Sequence, residues 1–202
     1  MELVVFIMNT NLNGANLSID KQIIILESIL KKNTKLMEIL KILDDDGIKN
    51  YYVGAGCINQ TVFNYYHGYE LDYGIKDYDI VYYDDDLSYD TEDIVIKRLE
   101  NKFKDLDILV DIKNQARVHL WYYEKYGIKR TPYVSVEDAI ASWGATITCI
   151  GVRLEKEKLV VYAPYGLNDI FGMVIRPVKR EFTKGSYDER AECWMKKWPK
   201  LS

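Results

Sequence analysis

The sequence predicts an α+β (mixed α/β) fold in which helices cover a central sheet. Short apolar or alternating segments at residues 51–53, 77–83 and 109–112 are typical of strands, and each is followed by a stretch with helical periodicity. This alternation favours a sheet with helices packed against it. The chain has 202 residues, 48% hydrophobic and 29% charged, which is enough to bury a full core.

Two helices are expected before the first strand. Residues 1–8 are apolar, but they carry an acid where a signal peptide has positive charge and are too short to span a bilayer. They are interpreted as a short strand or an extension. Ser18 then caps one helix, and Asn33 or Thr34 begins a second, which Gly47 ends.

Three strand–helix units, a hairpin and a last helix are expected after Gly47. These elements are, in chain order, the strand 51–53, the helix 58–66, the acidic strand 77–83, a helix from Asp90 or Thr91 to Lys104, the strand 109–112, the helix 114–126, a helix from Ser135 through Ala145, a hairpin over 153–161, and a helix capped by Ser186 and Glu189. Pro177 limits pairing of the segment before it. No repeat or linker interrupts the series, which indicates one domain.

Composition disfavours several classes of protein. With a formal charge of -4, the chain lacks the excess of basic residues that is typical of proteins that bind duplex nucleic acid. Cys57, Cys149 and Cys193 are odd in number and lack Cys-x-x-Cys spacing, so neither a disulfide framework nor a zinc site is indicated, and a reducing cytoplasm is expected. No stretch approaches the roughly 20 apolar residues of a membrane helix, so no membrane association is expected.

Two acids stand at the beginning of the second strand. Side chains alternate faces along a strand, so Asp77 and Asp79 project on one side while Tyr78 and Ile80 project on the other. Neighbouring carboxylates repel each other in a half-buried site and favour a bound divalent cation. A solvated acidic edge is the alternative, since charged edges protect sheets from unwanted pairing.

The glycine turn ahead of this strand is a second candidate site. Gly54 and Gly56 let the backbone approach a ligand closely, and the helix after them offers unpaired N–H groups to a phosphate. A tight turn without a ligand stays open as the alternative. A dinucleotide-binding fingerprint is disfavoured, because Asn59 stands where its third glycine belongs.

Asp111 in the third strand supplies a third carboxylate. If this strand pairs beside the second one, Asp111 converges with Asp77 and Asp79 on one point. Such a constellation holds one or two Mg²⁺ ions, which clamp the attacking and leaving oxygens of a phosphoryl transfer. Catalysis there rests mainly on positioning and charge neutralisation.

Four motifs resemble a largely uncharacterised family of nucleotidyltransferase-like proteins within the polymerase beta-type nucleotidyltransferase superfamily. They are Val53-Gly-Ala-Gly-Cys-Ile-Asn-Gln-Thr-Val-Phe-Asn, Ile75-Lys-Asp-Tyr-Asp-Ile-Val-Tyr-Tyr-Asp, Asn114-Gln-Ala-Arg-Val-His-Leu-Trp and Ala163-Pro-Tyr-Gly-Leu-Asn-Asp-Ile-Phe-Gly-Met-Val-Ile-Arg-Pro. The resemblance covers roughly residues 34 to 200. It implies the nucleotidyltransferase fold, with a mixed central sheet, over 34–202, and an N-terminal extension and helix over 1–33.

The resemblance also implies a mechanism and its residues. Mg²⁺ or Mn²⁺ is expected at Asp77, Asp79 and Asp111, with a nucleoside triphosphate as substrate and an acceptor that is a small molecule, a protein or an RNA end. Binding of the nucleotide is expected from Gly54, Ala55, Gly56, Asn59 and Thr61. The position of Arg117 just after the third acid also suits it to pair with phosphate, and a surface arginine in a helix capped by Asn114 is the alternative. Ala55 and Gly56 supply no hydroxyl where the superfamily often has serine, so backbone N–H groups take that role.

A non-catalytic nucleotide sensor or interaction module with the same fold is the alternative function, and the three carboxylates argue against it. A nucleic-acid polymerase is disfavoured by the acidic charge. Tyrosines that flank the site and the tryptophans are interpreted as packing residues, and both histidines as structural partners. Four basic residues are weaker candidates for an anion pocket: Arg153, Arg176, Lys179 and Arg180.

Overall fold

A computed structural model describes residues 14–178 and 184–202, and the segment 1–8 and the side chain of Ser186 lie outside its description. The elements are, in chain order, α1 (Ile19–Leu30), α2 (Thr34–Asp46), β1 (Tyr51–Gly54), α3 (Gly56–His67), β2 (Tyr78–Tyr82), α4 (Tyr89–Phe103), β3 (Val110–Asn114), α5 (Val118–Tyr126), α6 (Val136–Ile140), β4 (Gly151–Glu155), β5 (Lys158–Tyr162), α7 (Asn168–Gly172) and α8 (Lys184–Lys197). The predicted α+β class is confirmed.

The strands form one five-stranded sheet in the order β3-β2-β1-β4-β5. β1 is antiparallel to both β2 and β4, while β2 and β3 run parallel, so the sheet is mixed as expected. β4 and β5 make the predicted hairpin, in which Lys156 and Glu157 adopt positive φ angles of 51° and 67°. Because β2 and β3 are parallel, both strands begin at the same edge of the sheet.

Helices cover one face of the sheet and bury the main core. α3 packs on β1 and β2, α4 on β3, and α2 on β4. Strand side chains in this core include Val53, Ile80 and Ile112. On the opposite face, Tyr52 and Val81 pack against the short helix α6. The alternation predicted for the strands therefore separates a thick helical layer from a thinly covered face.

Helix α1 contributes to the same core as the sheet. Leu26, Ile29 and Leu30 are almost fully buried and belong to the apolar cluster that contains Val53. α1 lies against α3. The proposed boundary at residue 33 therefore divides segments whose side chains share one core.

Local side-chain bonds move two boundaries from their predicted positions. α4 begins after Ser88 rather than at Asp90 or Thr91, because Ser88 Oγ accepts a hydrogen bond from the Thr91 N–H (3.3 Å). β3 continues to Asn114, whose Oδ1 accepts the N–H of Ala116 (3.1 Å) and opens a 3-10 turn before α5.

The helix predicted from Ser135 through Ala145 is shorter in the structure. Ser135 caps it as expected, but it ends at Ile140. The Ser142 hydroxyl donates to the Ala139 carbonyl (2.8 Å), a local bond that competes with continuation of the helix. Within the described ranges, no helix has the length and apolar character needed to cross a membrane.

Replacing Leu26 by alanine tests whether α1 is part of the folding unit. The side chain is fully buried, so Leu26→Ala should lower the free energy of unfolding by about 2–5 kcal/mol and leave a single transition. Urea unfolding followed by circular dichroism measures this. Ile24→Ala, on the exposed side of α1, is the matched control and should change stability by less than about 0.5 kcal/mol. Equal effects of the two changes would contradict the shared core.

Candidate active site

Parallel pairing of β2 and β3 brings the predicted acids together. Asp79 and Asp111 are register partners on these neighbouring strands, whose axes lie about 4.8 Å apart. Asp77 precedes β2 by one residue and is exposed, whereas Asp79 and Asp111 are half-buried. We call this side of the sheet, which also carries Gly54, the carboxylate face. All three acids lie where β2 and β3 begin.

Asp79 is the carboxylate whose negative charge this arrangement disfavours most. Burial, reinforced by the Asp77 and Asp111 carboxylates, raises the pKa of Asp79 from 3.8 to about 7, and Lys113 opposes part of the rise. Each of the three causes disfavours a negative charge at this position. A bound cation would remove the penalty, and oxygen ligands of this kind are those that Mg²⁺ and Mn²⁺ prefer.

Asp111 is engaged by Lys113, a residue that the sequence reasoning did not single out. The Lys113 ammonium donates to Asp111 Oδ2 in a close ion pair. Among residues 14–178 and 184–202, no group of three or more His, Cys, Asp or Glu side chains converges closely enough to hold a metal ion. Asp77, Asp79 and Asp111 are thus side by side, and their convergence on one ion stays a prediction.

The glycine turn begins directly beside Asp79. Gly54 is the register partner of Asp79 on β1. A Cβ at Gly54 would stand 2.6 Å from the carbonyl oxygen of Ile150 and 3.0 Å from the Trp143 ring, so no larger residue fits. Gly54 is therefore required by packing, and that packing sets the turn against the carboxylates.

Ala55 holds the turn in an unusual backbone conformation. Its φ of 55° and ψ of -127° form a combination that residues with a Cβ rarely adopt. The Ala55 N–H donates to the Ile150 carbonyl (3.1 Å), and the Ala55 carbonyl accepts the N–H groups of Ile58 (3.3 Å) and Asn59 (3.4 Å). In the described part of the chain, the Gly56 N–H has no acceptor, so the first turn of α3 keeps a free donor.

Gln60 also lies at this turn, although the sequence analysis did not identify it as a candidate site residue. Its Nε2 stands 2.8 Å from the position of a Cβ at Gly56, and its Oε1 is buried without a hydrogen-bond partner among the described residues. The sequence contained a signal for it, since Gln60 follows Gly56 by four residues and so lies on the same side of a helix.

Two of the predicted nucleotide-binding residues point into the core instead. Asn59 is buried, and its Nδ2 donates to the Ile147 carbonyl (3.0 Å). Thr61 is fully buried, donates to the Cys57 carbonyl (2.7 Å) and accepts from Asn33 (2.9 Å). Their hydrogen bonds are already used inside the protein, so the prediction that they contact phosphate is corrected.

Arg117 lies away from the acids, at the other end of β3. Its guanidinium pairs closely with Glu92 and donates to the Leu87 carbonyl (2.9 Å). Glu92 is buried and also accepts the Asn114 N–H (2.8 Å). β3 extends three residues from Asp111 to Asn114, or about 10 Å at the usual rise, which separates this network from the carboxylates. The structure therefore gives Arg117 a structural partner rather than a phosphate.

Several of the remaining candidates make internal contacts. Tyr52 donates to Glu137 (3.0 Å) and Tyr83 to the Tyr133 carbonyl (3.1 Å). Arg153 pairs with Glu155 and Arg176 with Asp169, while Lys179 and Arg180 lie outside the described residues. Both histidine rings were expected to be structural, and His67 contacts the carbonyl of Phe63 (2.7 Å) and accepts the N–H of Lys200 (3.1 Å).

Sequence comparison assigns the family. A family profile described as Nucleotidyltransferase matches residues 41–202. The chain belongs to this nucleotidyltransferase family. A solved structure described as revealing a CCA-adding enzyme head domain is similar to this nucleotidyltransferase, with 27% sequence identity and a TM-score of 0.68. The similarity covers 87% of this chain and 93% of that one. Family and fold agree with the resemblance stated from the motifs.

A second solved structure, described as tRNA-processing enzyme complex 3, is 19% identical to this nucleotidyltransferase, with a TM-score of 0.39 over 69% of this chain and 35% of the other. A likeness of that size supports no argument about function. No functionally curated protein matches the sequence significantly.

The high pKa of Asp79 predicts a pH-dependent stability. Folding raises this pKa, so the folded protein binds a proton that the unfolded chain releases, and the free energy of unfolding falls as pH rises from about 4 to about 7. Asp79→Asn removes this fall and should stabilise the metal-free protein by about 1–3 kcal/mol at pH 8, with little difference at pH 4. Thermal unfolding across pH measures it. The exposed Asp85→Asn is the control, and a pH-independent difference would refute the assignment.

The backbone of Ala55 predicts a stabilising glycine. Glycine adopts this φ and ψ without the penalty of a Cβ, so Ala55→Gly should raise the free energy of unfolding by about 1 kcal/mol. Urea denaturation measures the change. Ala191→Gly in α8 is the control and should lower stability by about 1 kcal/mol, as glycine does within a helix. A loss of stability at both positions would show that Ala55 is unstrained.

Proposed function

We propose that this nucleotidyltransferase moves a nucleoside monophosphate from a nucleoside triphosphate to an acceptor hydroxyl, releases pyrophosphate, and requires Mg²⁺ or Mn²⁺. The observation that carries the proposal is the register of three strands, which sets Asp79 between Gly54 on β1 and Asp111 on β3. The glycine turn, where we expect phosphate to bind, and a pair of acids thus adjoin on one face.

Asp77 and Asp79 are the residues that we expect to hold the metal. They lie two apart at the start of β2, and among the described residues neither carboxylate has an ion pair that would compete for it. The raised pKa of Asp79 reflects a site with excess negative charge, which fits a cation. A bound Mg²⁺ would neutralise charge on the triphosphate and on the leaving pyrophosphate.

The beginning of α3 is the expected phosphate site. Gly56 offers a free N–H there, and the aligned peptide dipoles of the helix favour a negative charge at this end. The Gln60 side chain adds an amide at the same turn. Cys57 follows Gly56, but burial raises the pKa of its thiol well above the ordinary value, so we assign it no nucleophilic role.

The reaction forms a bond between the acceptor oxygen and the α-phosphorus and breaks the bond from that phosphorus to the bridging oxygen. The bonding electron pair leaves with pyrophosphate. The acceptor loses one proton, and Asp111 is the carboxylate that we expect to orient the hydroxyl and receive it. Asp111 is half-buried next to Asp79, on the side of the acids away from the glycine turn, and this position supports the role that we propose for it.

Several acceptors fit this chemistry, and the comparison suggests which donors to test first. Because the similar structure is described as a CCA-adding enzyme head domain, CTP and ATP are the donors to test first. The acceptors to test are an RNA 3′ end, small molecules and proteins. We place the reaction in a reducing cytoplasm, since Cys57, Cys149 and Cys193 are all free thiols.

Substitution of both metal-binding acids tests the function. Asp77→Asn with Asp79→Asn should reduce metal-dependent pyrophosphate release by at least about 100-fold, because the site loses two negative charges that hold the cation. The assay supplies each of the four triphosphates with Mg²⁺ or Mn²⁺ and cell extract as a source of acceptor, and calorimetry follows binding of the triphosphate.

The matched control is Asp84→Asn with Asp85→Asn, which removes the same charge from the loop after β2. It should leave release within about twofold, because charges in solvent are screened. Unchanged nucleotide binding in the Asp77 and Asp79 double variant would show that the site is wrongly placed. Binding without pyrophosphate release in the unmodified protein would favour a nucleotide sensor.

A further inference from the structure

Lys113 lies at the candidate metal site, and the proposed function gives it no role. It follows Asp111 by two residues on β3, so both side chains project on the carboxylate face. Its ammonium is bound to Asp111 Oδ2, and its charge also acts on Asp79 by lowering the pKa of that carboxyl. Lys113 therefore supplies positive charge to the acids in the absence of metal.

The ion pair between Lys113 and Asp111 is easily broken. Both side chains keep more than a third of their surface exposed, 35% and 39% respectively, and pairs this exposed contribute little to stability. The negative charge of Asp111 that now attracts this ammonium would also attract a cation bound to the neighbouring acids. A divalent ion at the acids also repels Lys113, whose flexible four-carbon stem lets the ammonium move.

We propose that Lys113 is a triphosphate-binding residue that Asp111 holds in the empty site and that an arriving divalent metal releases toward the phosphates. This inference rests on the proposed function, since it assumes metal and nucleotide at the same acids. A metal–triphosphate complex retains net negative charge, and the released ammonium is a compact charge well suited to it. Lys113 thus weakens the binding of metal without nucleotide and strengthens the binding of metal together with nucleotide.

These opposed effects distinguish the proposal from a structural role. Lys113→Met removes the charge and keeps an apolar stem of similar length. The dissociation constant for Mn²⁺ alone should fall by roughly 3–5-fold, because the competing ammonium is gone. The dissociation constant for a Mg²⁺-loaded triphosphate analogue with a non-transferable α,β-methylene bridge should rise by about 10-fold or more, because a charged hydrogen bond is lost.

Lys76→Met is the matched control. Lys76 is exposed, immediately precedes Asp77, and lines a shallow cavity of about 210 Å³ together with Tyr78 and Lys35 rather than contacting Asp111. Its removal deletes one positive charge close to the same acids. Both dissociation constants should stay within about twofold of the unmodified protein, because the charge is solvated and screened.

The experiment titrates Mn²⁺ by electron paramagnetic resonance without nucleotide. Calorimetry with Mg²⁺ measures binding of the α,β-methylene analogues of the four nucleoside triphosphates. Circular dichroism verifies that each variant is folded. Lys113→Arg keeps the charge, so it should not tighten Mn²⁺ binding and should retain most of the nucleotide affinity, which shows that charge rather than shape matters.

Tighter Mn²⁺ binding together with weaker nucleotide binding in Lys113→Met supports the proposal. Weakening of both, or no change in either, overturns it, and the proposed function survives if the unmodified protein binds both ligands. If the unmodified protein does not bind Mn²⁺, or if substitution of Asp77 and Asp79 leaves Mn²⁺ binding intact, the proposed metal site and the role of Lys113 fail together.

Discussion

The parallel register of β2 and β3 is the constraint on which the site depends. It places Asp79 beside Asp111 and, on the other face, Ile80 beside Ile112. A slip of one residue would turn Asp111 into the helical core and Ile112 onto the carboxylate face. The apolar core therefore specifies the same pairing that the chemistry requires, and the acids are positioned by burial that occurs on the opposite side of the sheet.

That arrangement collects unfavourable interactions at one place. Asp79 is half-buried between two other carboxylates, and Ala55 next to it in space adopts a backbone conformation normally left to glycine. Residues in such states persist only when the surrounding structure holds them there, and they concentrate at functional sites. Here the rigid support is visible: the Ile150 carbonyl fixes the Ala55 N–H, and the sheet beneath is fully packed.

Local sequence patterns sufficed for much of this architecture. The strand period of two set Asp77 and Asp79 on one side, and Asn33 and Gly47 begin and end α2 as expected. The start of α4 was misplaced because Ser88, Asp90 and Thr91 are all residue types that cap helices, and residue type does not show which of them accepts a backbone N–H.

The positions of the candidate residues in the fold were predicted well where strand geometry decides them and poorly where packing decides them. The pairing of two strands was enough to predict that Asp79 and Asp111 are neighbours. Because strand side chains alternate, the same reasoning applied two residues after Asp111 would have identified Lys113. Asn59 and Arg117 were chosen by closeness in sequence, but the rotation of α3 turns Asn59 toward Ile147. Arg117 is taken up by a buried acid that is remote in the sequence, and no local pattern reports such a contact.

A crystal structure with Mn²⁺ and a non-transferable triphosphate analogue tests the central claim most directly. We predict an anomalous peak within about 2.0–2.3 Å of carboxylate oxygens of both Asp77 and Asp79, with a phosphate next to the Gly56 N–H. Manganese bound elsewhere, or phosphates away from the beginning of α3, would contradict it.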